Sequence, residues 1–334
     1  MAGTVAMPER PYDVITIGDM CVDLAIDLGD TLPEFGQVER WVQDYSLEMG
    51  GSACIFACQA AKLGLRVGIL GRVGNDVMGQ LILGRLREAG VDTQLVAVDP
   101  ALKTGLGALL CRPGGDRAIL TYGGTLSAVY PEDVSHAFLA SGRHLHYCSY
   151  YLQTNLRPSA PAILGRAKAL GLSVSLDTNW DPDGAWDGGV QAALRQADLF
   201  FPNEQEATAI ARALEAGDAG GAPVAAGAPG LGEALQALAG QGPIVAVKLG
   251  DRGVLVARGT ERLLAPVAPV ARIVDTIGAG DSFDAGFVAG WLRGLPLAAC
   301  AAIGNACGRA STQARGGFLG QPWAADLPAW AAHP

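Results

Sequence analysis

The sequence predicts an α/β protein with a doubly wound, mostly parallel sheet, helices on both faces and a small second β-sheet standing off the main one. Short β-branched or apolar runs alternate with longer amphipathic segments along most of the chain. Two segments, 24–49 and 104–125, break that alternation with strand-like pieces joined by turn signals and no helix between them. The 334 residues are half hydrophobic and 17% charged, with 46 glycines and 19 prolines, which suits a large core with many turns.

The first strand is expected at 14–17, where Val-Ile-Thr-Ile is too short and too evenly apolar for a surface helix. A small-residue helix follows at 53–63, then a strand at 67–70 and an amphipathic helix at 78–89. Strands at 144–147, 174–176, 199–201 and 244–249 are interleaved with helices at 158–170, 188–197 and 231–239. Helices at 282–292 and 296–313 follow. This alternation calls for crossover connections and a parallel sheet, whose binding sites lie beyond the carboxyl ends of the strands. The pieces 40–47, 107–111 and 118–122 suit the small antiparallel sheet. The run 215–232, dominated by Ala, Gly and Pro, reads as a connecting surface loop, and no pattern is evident after Gln321. A single domain over 12–320 is expected, with tails at 1–11 and 321–334.

Lys and Arg number 24 against 33 Asp and Glu, a formal charge of −9 and a pI near 4.9. With no local basic stripe, that balance repels a phosphate backbone, so no nucleic acid partner is expected. No apolar run approaches the roughly 18 residues that a bilayer span requires, so membrane insertion is not expected either. The N-terminus carries Pro8, Glu9 and Pro11 where a secretory signal needs a basic and then an apolar region, and a cytoplasmic location is the expectation. Seven cysteines without a Cys-x-x-Cys pair fit buried free thiols in a reducing compartment. Cys54 and Cys58 stand one helical turn apart, but with no His nearby they make no zinc set.

Chemistry concentrates in 275–287, Asp-Thr-Ile-Gly-Ala-Gly-Asp-Ser-Phe-Asp-Ala-Gly-Phe. Gly278, Ala279 and Gly280 let a ligand approach the backbone, and the helix that follows aims its unpaired N–H groups and positive dipole end at the same place. The result is an anion hole. Asp281, in the first helical turn, is a carboxylate where phosphate would transfer, suited to draw the proton from an attacking hydroxyl. On spacing alone it reads as readily as an ordinary helix cap. Asn203 and Glu206, at i and i+3, share one face of a helix start, where a first-turn Glu is equally a solvated partner of the dipole. The 248–253 loop, Lys-Leu-Gly-Asp-Arg-Gly, reads as a hairpin with Gly253 at positive φ.

These stretches together resemble the ribokinase-like (PfkB) carbohydrate kinase family. The 275–288 stretch fits that family's C-terminal signature throughout. Gly50-Gly51-Ser52-Ala53 before a helix, followed by Gly71-Arg-Val-Gly74-Asn-Asp76-Val-Met-Gly79, looks like its first signature region. Pro202-Asn203-Glu204-Gln205-Glu206 matches its Asn-x-x-Glu motif, and Lys248-Leu-Gly250-Asp-Arg-Gly253 its nucleotide-side loop. The resemblance runs from about Tyr12 to Gly317 and implies a doubly wound core with a β-sheet lid made of the segments 24–49 and 104–125. It implies an enzyme that transfers the ATP γ-phosphoryl group, with Mg²⁺, to a hydroxymethyl group of a sugar, sugar acid, polyol or nucleoside.

By that resemblance Asp281 is the base, and the Gly278, Ala279 and Gly280 amides hold the developing charge. Asn203 and Glu206 would help place Mg²⁺ and phosphates through water. Lys248, Gly250 and Gly253 would lie on the nucleotide side, with Asn305 facing adenine. Asp275 and the carbonyl of Ile277 align with a monovalent cation site, for K⁺. Asp23, beside Gly50 and Gly51, would receive sugar hydroxyls. A nucleoside kinase, or a non-catalytic member that binds nucleotide or sugar as a regulator, are the alternatives. A homodimer through the lid, using Trp41 and Tyr45, is a further expectation, although half-buried strand aromatics would look the same.

The chain departs from the family pattern around the acceptor. Ile55 stands where the family has an Asn, Cys21 where ribokinase has an Asn, and Asp181 replaces the Arg of an Asp-x-Asn-x-Arg stretch at 177–181. Ile55 and Cys21 are therefore expected to turn a methyl-rich surface to the acceptor, favouring one less polar on that face than ribose.

Overall fold

The computed structural model describes residues 10–113, 116–218 and 230–331. In chain order its strands are β1 (Tyr12–Ile17), β2 (Cys21–Asp27), β3 (Asp44–Gly50), β4 (Val67–Gly74), β5 (Val96–Asp99), β6 (Gly105–Cys111), β7 (Arg117–Tyr122), β8 (Gly142–Tyr147), β9 (Ser173–Leu176), β10 (Leu199–Phe200), β11 (Ile244–Lys248), β12 (Val254–Arg258) and β13 (Glu261–Ala265). The helices are α1 (Ser52–Lys62), α2 (Val77–Glu88), α3 (His136–Ala140), α4 (Ala160–Ala169), α5 (Val190–Leu194), α6 (Glu204–Asp218), α7 (Leu231–Ala239), α8 (Ala279–Leu292), α9 (Leu297–Ser311), α10 (Gly316–Leu319) and α11 (Pro328–Ala331).

The main sheet runs β13-β12-β11-β10-β9-β8-β1-β4-β5, parallel from β5 to β11 and ending in an antiparallel edge hairpin. Period-two alternation sends neighbouring side chains to opposite faces. Val14, Leu199, Phe201 and Ala246 accordingly pack with α1, α2 and α8, whereas Ile15, Ile17, Phe200, Val245 and Val247 pack with α4 to α7. The doubly wound α/β class is what the structure shows. The second sheet, β3-β2-β6-β7, is antiparallel except for the parallel β2–β6 pair.

Helices α8 and α9 meet along a seam of small residues. A Cβ on Gly286 would stand 2.9 Å from the Gly304 Cα, and one on Gly308 2.8 Å from the Ala279 carbonyl. Only glycine admits backbones this close.

Several expected boundaries move for local reasons. The helix expected at 188–197 shrinks to α5, because Gly188 and Gly189 take φ of 55° and 78° just ahead of it. The strand expected at 40–47 starts instead at Asp44, its register fixed by pairing Cys21 with Gly50 and Asp27 with Asp44. The run 215–232 is not a loop throughout: α6 continues to Asp218 and α7 begins at Leu231, while 219–229 lie outside the described residues. Beyond Gln321 the chain does not trail away. Gln321 Nε2 donates to the Ile55 carbonyl at 2.8 Å, and Leu327 and Trp330 pack with Leu63 and Ile303. The first nine residues are outside the described set. Among the described residues, no helix is long and apolar enough to cross a membrane.

Candidate active site

The carboxyl ends of β1, β8, β9, β10 and β11 converge on one edge of the sheet, which is where a doubly wound fold places ligands. The turns leaving them present Asp19, Ser149, Asp177 with Asn179, Asn203, and Lys248 respectively. Ser149 donates to Asp19 Oδ1 at 2.7 Å. The Asn179 amide nitrogen reaches Ser149 Oγ at 3.3 Å and Ser52 Oγ at 3.4 Å. Ser149 and Asn179 hold φ of 52° and 56°, a left-handed conformation that costs non-glycine residues energy and clusters at functional sites.

Ser52 links this chain of hydroxyls and amides to Asp281, which opens the first turn of α8. Gly278 caps that helix with φ of 69° and no side-chain cap, and the first helical hydrogen bond runs from Ser282 N–H to the Gly278 carbonyl. Ahead of it, Ala279 N–H turns back to the Thr276 carbonyl at 3.4 Å, and the Gly280 and Asp281 amides have no acceptor within the helix. A Cβ on Gly278 would come within 2.7 Å of Gly317 and 2.9 Å of Ile55. The Asp281 carboxyl is pushed up to about 7, first by burial and then by the charge of Asp177, against the pull of Lys248 and Ser52.

A cleft of about 660 Å³ opens on one side of this turn, between Gly250, Gly253, Asn305, Thr276 and Gly280. Gly253, at φ of 93°, has no room for a Cβ because the Ala265 carbonyl would lie 2.2 Å away. Asn305 donates to the carbonyls of Ala265 at 2.9 Å and Pro266 at 3.3 Å, so it ties down the strip that walls the cleft. Asn203 and Glu206 form a reciprocal cap at 2.9 Å each way, and Glu206 is lifted to about 7 by burial and by Asp177.

The four-stranded sheet stands on the other side. Asp23 on β2 has room for its carboxylate because Gly107 on β6 and Gly50 on β3 lack side chains; a Cβ on either would lie 2.7 Å or less from it. Burial, and then Asp19, lift Asp23 to about 7, with Arg117 opposing. Arg117 donates to Thr276 Oγ1 at 3.0 Å, and Arg315 pairs with Asp44 at 2.6 Å, so the small sheet is fastened to the loop that precedes α8 and to the turn between α9 and α10.

The structure thus brings Asp281 together with Gly278, Ala279 and Gly280, with Gly250, Gly253 and Asn305 along the adjoining cleft and Asp23 on the small sheet fastened to the loop ahead of α8. Other expectations change. Lys248 lines the cleft, yet its ammonium is pinned by Asp177 at 2.7 Å and Asp284 at 3.2 Å. Ile55 is 2% exposed and packs with Leu109 and Ile277, where a free methyl-rich surface was expected, and Cys21 is 8% exposed. Gly51, at φ of 84°, serves the backbone, where a Cβ would strike the Asp19 carbonyl at 2.6 Å. Asp275 spends both carboxylate oxygens on the Ile277 and Gly316 amides, each at 3.0 Å. Asp181 braces its own loop by accepting from Trp186 N–H at 2.6 Å.

The sequence reading passed over Asp19, Ser149 and Asp284, and it noted Ser52, Asp177 and Asn179 within motif stretches without giving them a role. For Asp284 a signal existed, since a lone carboxylate in the apolar run 282–290 needs a buried partner.

Compared with known proteins, residues 12–324 match the pfkB family carbohydrate kinase. The chain is 31% identical over 320 residues to the ATP-dependent ribose-1-phosphate kinase of Halopiger xanaduensis, covering 95% of this chain and 97% of that one. It is 29% identical over 303 residues to the 2-dehydro-3-deoxygluconokinase of Bacillus subtilis, covering 86% and 88%. A candidate ribokinase II from E. coli, solved with ATP and Mg²⁺, superposes with a TM-score of 0.76 at 24% identity, covering 93% of this chain and 96% of that one. The fold is therefore ribokinase-like, and the chain belongs to the pfkB family of carbohydrate kinases.

Proposed function

We propose that this kinase transfers the γ-phosphoryl group of ATP to a hydroxymethyl group of a sugar, sugar acid, polyol or nucleoside, with Asp281 as the base. One observation carries the reading. Asp281 stands in the first turn of α8, next to the Gly280 that lines the cleft with Asn305 and within hydrogen-bond reach of Ser52, and burial pushes its carboxyl up to about 7. A base whose pKa lies near neutrality is substantially ionised at neutral pH and still basic enough to take the hydroxyl proton. Asp23 would hold acceptor hydroxyls, and the Gly278 to Gly280 backbone would receive charge developing on the phosphoryl oxygens. The names of the relatives support a sugar or sugar-acid acceptor.

Glu206 suits hydrated Mg²⁺: one oxygen accepts from the Asn203 amide, and the other makes no hydrogen bond among the described residues. Bound there, Mg²⁺ would draw charge from the phosphate oxygens. A K⁺ site at Asp275 rests on the resemblance, because that carboxylate already braces two backbone segments. Phe35 and Trp41, 99% and 95% exposed, together with the fully exposed β7 edge, support pairing of the lid with a second copy.

Asp281→Asn is expected to keep the fold and nucleotide binding while lowering kcat by on the order of 10²-fold or more. Coupled ADP release and thermal shift with nucleotide measure the two properties. Near wild-type turnover would remove Asp281 from the mechanism.

A further inference from the structure

The helix start that would receive phosphate rests on a buried charged trio. Lys248 Nζ donates to Asp177 Oδ2 at 2.7 Å and lies 3.2 and 3.3 Å from the two oxygens of Asp284. Asp177 is 4% exposed and Asp284 not at all. A methyl group on Gly280 would stand 3.3 Å from the same ammonium, so the charge lies directly beneath the glycine loop. The three side chains come from the turn after β9, the end of β11 and the second turn of α8. Their contacts tie the start of α8 to two strands of the main sheet.

The charge balance is uneven in an informative way. A structural ion pair needs one carboxylate per ammonium, and here one ammonium meets two. Burial, and then the charges of Asp177 and Asp281, push the Asp284 carboxyl well above the ordinary carboxylate range, against the pull of Lys248. Both carboxyl groups face the one ammonium, so no charge in this dry site stands without an opposite partner. Burial disfavours the ammonium, but the surrounding carboxylates hold the Lys248 proton more strongly.

The groups facing Asp281 from every packed element are Asp177 and Lys248 from the strand ends, Asp19 after β1, Ser52 on α1, Asp284 on its own helix and Glu206 on α6. The thiols of Cys21, Cys54 and Cys148 complete the set. Of these, Lys248 is the cation.

We propose that Lys248 is a positioning residue for phosphoryl transfer: clamped between Asp177 and Asp284, it fixes the first turn of α8, and with it Asp281 and the Gly280 amide, against the sheet, and its charge offsets the acidic wall around the base. The proposal rests on the reading of Asp281 as that base. It assigns Lys248 a role apart from holding nucleotide.

The test is the pH dependence of kcat and kcat/KM for Lys248→Met, Lys248→Arg and the charge-neutral pair Lys248→Met with Asp177→Asn. The Met variant is expected to lose about tenfold or more in kcat with KM for ATP within about twofold of wild type, and its acid limb should move up by about one pH unit. Arg keeps the charge, so its limb stays put while its larger planar head still lowers kcat. The neutral pair removes the opposing charges together, so it should fold even if the Met variant does not. It should show low kcat with the limb back near its wild-type position. Wild-type kcat in the folded Met variant or the neutral pair, or a rise in KM for ATP alone, would overturn the proposal. Asp281→Asn measured alongside separates the two claims: full activity there sinks the base, whereas full activity in the Lys248 variants sinks only the clamp.

Discussion

Gly278 and Gly280 serve one loop for different physical reasons, and the difference can be measured. At Gly278 both the φ of 69° and the 2.7 Å approach to Gly317 exclude a side chain. Gly278→Ala should therefore cost about 1–3 kcal/mol of stability, read as a lower denaturation midpoint, along with most of the turnover. Gly280 is helical, and a Cβ there meets only the Lys248 ammonium at 3.3 Å. Gly280→Ala should melt near the wild-type temperature yet lose about tenfold in kcat, because the methyl group presses on the Lys248 head beneath the loop and shifts the turn that carries Asp281. Equal melting temperatures for the two variants would contradict this distinction. The glycines themselves were legible, because small residues before a helix have a local meaning. The trio beneath them was not. Lys248 lies 71 residues from Asp177 and 36 from Asp284, and no local pattern reports a contact across such separations.

At the scale of elements, the lid and the glycine loop share a small apolar plug. Ile55 on α1, Leu109 on β6 and Ile277 ahead of α8 bury one another, and Ala25 and Cys111 pack against them. Ile55→Asn places an amide in this plug and should destabilise the protein by about 2–4 kcal/mol. No gain for hydroxyl-rich acceptors is expected. Chemical denaturation, with kcat/KM for ribose against a deoxy analogue, checks both parts, and a selective gain for ribose at unchanged stability would return Ile55 to the acceptor site. A motif position gives a place along a helix but not what packs over it, and here Leu109 and Ile277 pack over Ile55. The strands and helices of the core were more readable. Runs such as 14–17 and 244–248 alternate between two apolar faces, and that periodicity is a property of the local sequence. The edge strands β5 and β13 carry little of it, being largely exposed.

For the whole molecule the buried acids and histidines set a stability optimum. Asp23, Glu206 and Asp281 are each lifted to about 7, so the folded chain binds protons between pH 8 and 5 that the unfolded chain does not. Stability from these groups is complete below the ordinary carboxylate range and is lost as pH rises through about 7. His144 and His146 act in the opposite sense. Burial lowers His144 to about 3 and His146 well below its ordinary value, so their contribution is present above about 6.5 and is lost as pH falls. Without ligands the melting temperature should peak near about pH 6 to 6.5 and fall by a few degrees towards pH 8.5. A melting temperature that climbs steadily from pH 6 to 8.5 would show that these carboxyls are not held protonated.

The link from Gln321 to the Ile55 carbonyl and the Ser282 hydroxyl has a consequence for synthesis. Every strand of both sheets is translated before Asp281, and Gln321 comes later still. A nascent chain can thus assemble its sheets while still attached to the ribosome, but it cannot complete the link between α8 and α1 until Gln321 has emerged. Phosphoryl transfer would then begin only on chains whose scaffold is already built, so fragments from interrupted translation would not consume ATP.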